Sequence, residues 1–269
     1  MERKLIHSAY TAQGLRERNE DSFWVGQNDS KQMLIVVCDG VGGDVDSHIA
    51  SEIVAGTFRL SFFKSPVIEN FKKFYNEAIQ LSCKYIDNVS TKFKHNEKMG
   101  TTINVVLIDG NKVQCANIGD TRTYRFLADD NLIQQISYDQ NLQNFIRTKF
   151  SVLKDAAKKE GNVAKENELK QEEEALMKEH EDHLLALTCC LETKCAITPD
   201  NSSYNSFILQ KDDQVIVCTD GVYNWIKPLE IIELIKTKKD YESCAGEVIF
   251  KAIQNQSNDN LTFVVAKYE

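Results

Sequence analysis

The sequence predicts an α+β fold in which antiparallel strands form a sandwich covered by helices. Strand-like segments follow one another in pairs and helix-like segments do the same, whereas a parallel sheet requires strands and helices to alternate strictly. Asp109 and Gly110, which stand between two apolar segments, favour a tight hairpin. The chain has 269 residues, 42% of them apolar, and can bury a large core. We therefore expect one domain over residues 1–269.

The first half of the chain is predicted to open with strands and to continue with two helices. Residues 23–25 and the apolar run 33–38 are too short for helices and fit strands. Ile49, Val54 and Phe58 then recur at helical spacing. A second helix is predicted to start at residues 65–66, with Ser as N-cap and Pro at the first helical position.

The later strands and helices are predicted from the same signals. Strand signals resume on both sides of the Asp109–Gly110 turn and at residues 123–127. Two more strands flank a turn at residues 211–213. The remaining predictions are a helix from Pro228, a helix over about residues 241–254 and a final strand over residues 261–266.

A charged segment at residues 152–182 interrupts this pattern. It contains 6 Lys and 10 acidic residues, so its charge of −4 is half of the net charge of −8. Such a composition favours a solvated helix. We expect a charged helical insertion at about residues 140–200. Two interpretations stay open: a lid or partner-binding insertion beside the active site, and a surface helix without a function of its own.

The overall composition excludes several classes of protein. The acidic balance argues against nucleic acid as a partner. The longest apolar run has six residues, whereas a membrane-spanning helix needs about twenty. The N-terminus lacks the apolar segment of a secretory signal, so we expect a cytoplasmic protein without a membrane partner. We also expect a monomer. The eight cysteines form no Cys-x-x-Cys pair, and we expect most of them to be buried, reduced thiols.

Four aspartates stand at the boundaries of predicted strands. Asp39, Asp120 and Asp220 each follow a strand, and Asp259 precedes the last one. Ionised carboxylates near a core are costly unless they are paired or bind a metal, and oxygen ligands without His or Cys favour Mg²⁺ or Mn²⁺. The alternative is that Asp-Gly pairs simply form turns at strand ends.

Arg16 and Glu20 precede a predicted strand and are expected at the rim of the same sheet. The planar guanidinium of arginine matches phosphate oxygens. Together with a two-metal carboxylate site, it points to phosphoryl chemistry. Taken alone, Arg16 would be interpreted as a surface salt bridge.

The order of these motifs resembles the metal-dependent protein phosphatases, the PPM or type 2C family, over about residues 8–267. Six short motifs carry the resemblance: Arg16-x-x-Asn19-Glu20-Asp21, Asp39-Gly40-Val41-Gly42-Gly43, Gly100-Thr101-Thr102, Gly119-Asp120-Thr121-Arg122, Thr219-Asp220-Gly221 and Asp259-Asn260-x-Thr262. The resemblance implies a four-layer α-β-β-α sandwich of two antiparallel sheets flanked by helix pairs.

The resemblance also implies the activity and the roles of the site residues. The family hydrolyses phosphoserine and phosphothreonine in proteins, in signalling, with a hydroxide held between two Mn²⁺ or Mg²⁺ ions. By motif position, Asp39 bridges both metals. The further ligands are the Gly40 carbonyl, Asp220, Asp259 and, through water, Glu20. Asp120 corresponds to a third, weaker metal site, and Arg16 would bind the substrate phosphate. Arg16, Glu20 and Asp39 are thus the expected catalytic residues.

Two departures from the family pattern are visible. Val41 stands where many eukaryotic members carry His, and nearby His48 is interpreted as structural. The family's Asp-His-Ser is here Asp139-Gln140-Asn141. Two other functions stay open: a catalytically weak pseudophosphatase that binds phosphoproteins as a scaffold, and a hydrolase of small phosphate esters.

Overall fold

A computed structural model describes residues 4–41, 46–93, 99–193, 201–237 and 240–269. Gly42 and Gly43 of the second motif lie outside the described residues. The chain forms two compact units. We call them the sandwich unit (Met1–Tyr138 and Cys190–Glu269) and the hairpin unit (Asp139–Cys189).

Thirteen strands and seven α-helices are present in these described ranges. The strands are β1 (Leu5–Ala12), β2 (Ser22–Gln27), β3 (Met33–Cys38), β4 (Gly40–Val41), β5 (Gly100–Thr101), β6 (Ile103–Asp109), β7 (Lys112–Ile118), β8 (Arg122–Leu127), β9 (Leu132–Gln135), β10 (Leu191–Glu192), β11 (Ser203–Ile208), β12 (Gln214–Cys218) and β13 (Leu261–Tyr268). The helices are α1 (Ser47–Phe63), α2 (Phe71–Phe93), α3 (Leu142–Lys159), α4 (Val163–Glu179), α5 (Asp220–Tyr223), α6 (Pro228–Thr237) and α7 (Cys244–Gln254).

Two five-stranded antiparallel sheets form the centre of the sandwich unit. Their strand orders are β1-β13-β12-β8-β9 and β11-β7-β6-β3-β2, and a small third sheet has the order β10-β5-β4. The inner faces of the two large sheets share one apolar core. Residues Met33, Ile35 and Val37 of β3 contribute from one sheet, and Val215 and Val217 of β12 from the other. Alternate residues of each strand therefore face the partner sheet.

Helix pairs cover the outer face of each large sheet. On one side, Phe62 of α1 contacts Trp24 of β2 at 5.5 Å between ring centroids. Phe58 of α1 contacts Phe74 of α2 at 6.0 Å. On the other side, α6 and α7 pack their apolar faces against Ile216 and the outer face of β12 and β13. The predicted four-layer α-β-β-α sandwich is confirmed.

The hairpin unit consists of α3 and α4 with a small core of its own. Four buried residues, Ile146, Phe150, Ala157 and Leu169, form this core. The side chains of Asn141 and Asn162 accept backbone N–H groups at the two helix starts. Lys154 Nζ pairs with Glu173 Oε2 at 2.7 Å. The charged segment is therefore helical.

The prediction that α2 starts at residues 65–66 is wrong, since the helix begins at Phe71. The Pro66 carbonyl accepts hydrogen bonds from Ser30 Oγ at 2.8 Å and Asn28 Nδ2 at 3.2 Å, which hold this segment in a loop. The N-cap side chain is that of Asn70, whose Oδ1 accepts the N–H of Lys73 at 3.0 Å.

The described ranges contain neither a disulfide nor a helix that could span a membrane. Seven cysteines are present there and none of them is in a disulfide within these ranges; four are buried: Cys38, Cys115, Cys218 and Cys244. Cys195 lies outside the described residues. In the same ranges, no helix has both the length and the apolarity that a membrane span requires.

Candidate functional site

The strand pairings bring the predicted acidic residues to one end of each large sheet. In one sheet, Cys218 of β12 pairs with Phe263 of β13 and with Arg122 of β8. The residues just beyond this row are Asp220, Asp259 and Asp120. In the other sheet, Asp39 follows β3, whose end lies beside the start of β6.

Backbone hydrogen bonds fix the chain at Asp39. Its carbonyl accepts the N–H of Thr102 at 2.8 Å and the hydroxyl of Thr101 at 2.9 Å. Its own N–H donates to Thr102 Oγ1 at 3.1 Å. A Cβ on Gly40 would stand 2.8 Å from the Glu20 carbonyl oxygen, so only glycine allows this close approach. Asp39, Gly40 and Glu20 are thus brought together.

Asp21 joins the two large sheets, a role that the sequence interpretation did not assign. It directly precedes β2 of one sheet, and its Oδ2 accepts the hydroxyl of Thr219, from the other sheet, at 2.9 Å. Thr219 Oγ1 in turn accepts the N–H of Thr262 at 2.9 Å. The second oxygen of Asp21, Oδ1, is buried without a hydrogen-bond partner among the described residues.

Asn260 connects the N-terminal motif, which contains Glu20, to the segments of Asp220 and Asp259. Its Nδ2 donates to the carbonyls of Gln13 and Arg18, both at 2.8 Å, and its Oδ1 accepts the N–H of Glu20 at 2.9 Å. A Cβ on Gly221 would stand 1.9 Å from the Asn260 carbonyl oxygen. Asp220 and the segment from Asp259 to Asn260 are therefore packed directly against each other.

Arg16 lies at this end of the sandwich and pairs with a predicted metal ligand. Its Nη2 is 2.8 Å from Asp259 Oδ2, and its Nε donates to the Asn258 carbonyl at 3.2 Å. The hydrogen bond to Asp259 raises the pKa of the guanidinium. The side chain is 53% exposed, so Arg16 is accessible to a phosphate group.

The carboxylates behave as one electrostatic cluster. Burial raises the pKa of Asp39 well above its ordinary value, and the charges of Asp21, Asp220, Asp120 and Asp259 raise it further. Burial likewise raises the pKa of Asp21 to about 7 and, with Asp259, the pKa of Asp220 to about 6. These directions arise because like charges meet away from water.

Glu20 lies at the margin of this cluster. Burial is the main cause that raises the pKa of its carboxyl group, and electrostatic interactions with His48, Arg16 and Arg18 act against that rise. Arg18 Nη1 lies 3.0 Å from His48 Nδ1. His48 stands in the first turn of α1, as expected, and belongs to the surroundings of Glu20.

The donor chemistry of this cluster fits hard divalent cations. The side chains available as metal ligands are carboxylates, and bound cations would neutralise their repulsion. One of them, Asp21, has a buried oxygen without a hydrogen-bond partner in the described part of the chain. Among the described residues, no three His, Cys, Asp or Glu side chains already form a closed metal-binding group. One physical reason why such a group is not formed is that Asp259, a predicted metal ligand, is engaged in an ion pair with Arg16.

A second guanidinium near Asp220 was also missed from the sequence. Arg122 stacks on Tyr223 of α5, with its Cζ 3.6 Å from the ring centroid. The Tyr223 hydroxyl donates to the Asp120 carbonyl at 3.2 Å. The charge of Arg122 lowers the pKa of Asp220, against the larger effect of burial. Arg122 stands within a quoted motif, but only the fold shows its contact with Tyr223.

Comparisons with known proteins point to one family. The protein phosphatase 2C family model matches residues 13–262. A Listeria innocua protein named serine/threonine phosphatase stp is 24% identical over 259 residues, which cover 94% of this chain and 91% of that protein.

Solved structures agree at the level of the fold. The crystal structure of serine/threonine phosphatase Stp1 from Staphylococcus aureus has a TM-score of 0.79 and 22% identity, and covers 99% of this chain and 96% of that one. The catalytic domain of serine threonine protein phosphatase PstP, solved in complex with two manganese ions, has a TM-score of 0.74 and 23% identity, with 99% of both chains covered.

Proposed function

The chain belongs to the protein phosphatase 2C family, and from this premise we propose that it hydrolyses phosphoserine and phosphothreonine in proteins. The cluster of carboxylates around Asp39, in which Asp21 is buried and the others are partly buried, is the observation that carries the proposal. Such a cluster is unfavourable on its own and becomes favourable when cations bind. Family membership supports a phosphoprotein substrate, and the manganese in the PstP structure supports the type of metal.

Two divalent cations, Mn²⁺ or Mg²⁺, are the proposed cofactors. The residues proposed to hold them are Asp39, the Gly40 carbonyl, Asp220, Asp259 and, through water, Glu20. Asp120 is proposed for a third, weaker site. When bound, such a metal pair supplies a water nucleophile at neutral pH and neutralises charge on the transferring phosphoryl group.

The protein's own residues bind and orient the substrate. Arg16 is 53% exposed and offers a planar set of donors to the phosphate oxygens. Its partner Asp259 Oδ2 at 2.8 Å must share this guanidinium with the substrate or release it. Asp21 and Asn260 hold the segments of Glu20, Asp220 and Asp259 in register through the hydrogen bonds described above.

The remaining proposals concern the setting of the enzyme. We propose that it acts in the cytoplasm as a monomer, as a single phosphatase domain with an insertion. The hairpin unit, which has its own core, is proposed to influence the choice of protein substrate. The support for this proposal is the charge of the unit and its own apolar core.

The proposal is tested by assaying the purified chain on an aryl phosphate and on a phosphothreonine peptide, with Mn²⁺ and with a chelator. We expect turnover of both substrates with Mn²⁺ and none with the chelator. Asp39→Asn should abolish turnover, whereas Asp29→Asn, at an exposed position outside the cluster, should not change it. Peptide binding without turnover would indicate a scaffold, and turnover of the aryl phosphate alone would indicate a hydrolase of small esters.

A further inference from the structure

The outer edge of β1 is an open sheet edge in the sandwich unit. β1 is the first strand of its sheet, and within the described residues no strand pairs with its outer side. All eight of its residues, Leu5–Ala12, pair with β13 on the inner side. A strand of this length with an open edge can accept another extended chain.

The register of β1 identifies which backbone groups face outward. At the end of the ladder, the N–H of Glu269 donates to the carbonyl of Lys4 at 2.9 Å. Hydrogen-bonded and non-hydrogen-bonded pairs alternate along an antiparallel ladder. His7 and Ala9 therefore belong to non-hydrogen-bonded pairs, and their N–H and C=O groups point away from β13.

A groove of about 410 Å³ lies beside this edge, between β1 and α7. Two aromatic side chains line it, Tyr10 of β1, 53% exposed, and Phe250 of α7, 57% exposed. Gly246 also lines the groove, and a Cβ built on it would meet no atom of the described residues within 4 Å. The groove thus has aromatic walls and open space above the helix.

The carboxylate of Glu242, at an exposed position, also lines this groove. A carboxylate beside aromatic faces forms a favourable environment for a Lys or Arg side chain. The same carboxylate would repel an acidic side chain. The groove therefore selects a basic group.

The groove is held in shape by a buried hydroxyl. Ser8 Oγ donates to the Glu242 carbonyl at 2.6 Å and accepts the N–H of Ala245 at 3.0 Å. Ser8 is 3% exposed. These bonds fix the start of α7 to β1, so binding needs little rearrangement.

We propose that this edge binds an extended segment of a partner protein. The segment adds a strand to β1 through the outward backbone groups of His7 and Ala9, and it places a Lys or Arg side chain between Tyr10 and Phe250. An added strand directs alternate side chains to the helix-covered face of the sheet, on which Tyr10 lies. Backbone pairing gives the affinity, and the acidic aromatic groove gives the preference for a basic side chain.

The test uses the full chain, labelled with ¹⁵N, and a synthetic peptide of alternating threonine and valine with one central arginine. A proline at each end of the peptide limits its self-association. We expect saturable shifts of the His7 and Ala9 amide signals, with a Kd below about 1 mM. A matched peptide with central glutamate should bind at least about tenfold more weakly.

Gly246→Phe fills the groove and should abolish binding of the arginine peptide. Gly56→Phe is the matched control, because a Cβ built on Gly56 of α1 also meets no atom within 4 Å in the described part of the chain. It should bind the peptide as the unmodified protein does. Melting curves and aryl phosphatase activity should be unchanged in both variants.

Three results would overturn the proposal: no saturable shift up to about 1 mM peptide, equal binding of the glutamate peptide, or binding that survives Gly246→Phe. If Gly246→Phe does not fold, a charge reversal decides. Glu242→Lys should weaken binding of the arginine peptide and strengthen binding of the glutamate peptide. Unchanged preference in this variant would reject the groove as the binding site.

Discussion

Asp21 should make the metal-free protein less stable as the pH rises. Its pKa is raised from 3.8 to about 7, so the folded state keeps a proton that the unfolded state loses between about pH 4 and pH 7. Because the folded state binds more protons in that window, the free energy of unfolding falls as the pH increases. The gap between 3.8 and about 7 corresponds to roughly 4 kcal/mol at and above pH 7.

Asp21→Asn should remove the part of this dependence that Asp21 contributes, whereas the parts that come from Asp39 and Asp220, whose pKa values are also raised, should remain. The amide oxygen of asparagine can still accept the hydrogen bond from Thr219, but it carries no charge to bury. At roughly 2 to 4 °C per kcal/mol for a chain of this size, the variant should melt roughly 8 to 16 °C higher at pH 8. Its advantage should shrink towards pH 5.

The assay is thermal unfolding with a chelator present, from pH 5 to pH 8. Asp212→Asn is the control, because Asp212 is largely exposed and its hydrogen bond to Lys267 lowers its pKa. That variant should keep the slope of the unmodified protein. A melting temperature that is constant from pH 5 to pH 8, or an equal slope in Asp21→Asn, would refute the assigned cost of burying this carboxylate.

Three further changes test other parts of the account. Arg16→Met should lower kcat/KM by about 10- to 100-fold, because the charge-assisted hydrogen bonds to phosphate are lost. Steady-state kinetics measure this change, and an unaltered kcat/KM would exclude a phosphate contact. Gly221→Ala should destabilise the protein by about 1–3 kcal/mol in urea unfolding, since its Cβ would stand 1.9 Å from the Asn260 carbonyl, while Gly246→Ala in α7 should be neutral or slightly stabilising. An equal effect of the two glycine changes would contradict this packing. Residues 142–186 can be replaced with a short glycine linker, because Asn141 and Leu187 already pair at the base of the hairpin unit. The variant should keep aryl phosphatase activity and show altered rates on phosphoproteins. Identical rates on every phosphoprotein tested would remove the proposed role in substrate choice.

Much of the sandwich could be predicted from local sequence signals. The run Met33–Cys38 is apolar throughout because all six residues are buried, and that pattern identifies a central strand without any tertiary information. The turn after Asp109 is equally local, since Gly110 adopts a φ of +58° and the chain reverses there. The four-layer arrangement itself came from the order of the motifs and their resemblance to a family.

Other elements depend on contacts that local signals do not contain. The predicted start of α2 failed because Asn28 and Ser30, more than thirty positions earlier, hold the Pro66 carbonyl in a loop. Asp220 was predicted to follow a strand, as it does, but the short helix α5 that it opens was not predicted. β9 was not predicted, as its residues are mostly exposed and give no apolar alternation.

The candidate site shows the same division. The positions of Asp39, Asp220 and Asp259 at strand boundaries could be predicted from the sequence, because each boundary combines an apolar run with an acidic residue. The hydrogen bond from Thr219 to Asp21 was not readable, since it joins residues 198 positions apart in two different sheets. The same holds for Arg16, whose pairing with Asp259 follows only from the folded chain.

The central claim is that carboxylates distant in sequence share bound cations at one end of the sandwich. Anomalous diffraction from crystals grown in millimolar Mn²⁺, at the manganese edge, tests it most directly. The account predicts two manganese peaks, with an Asp39 oxygen bound to both and with Asp220 and Asp259 on one of them. Manganese found elsewhere, or none within coordination distance of Asp39, would contradict it.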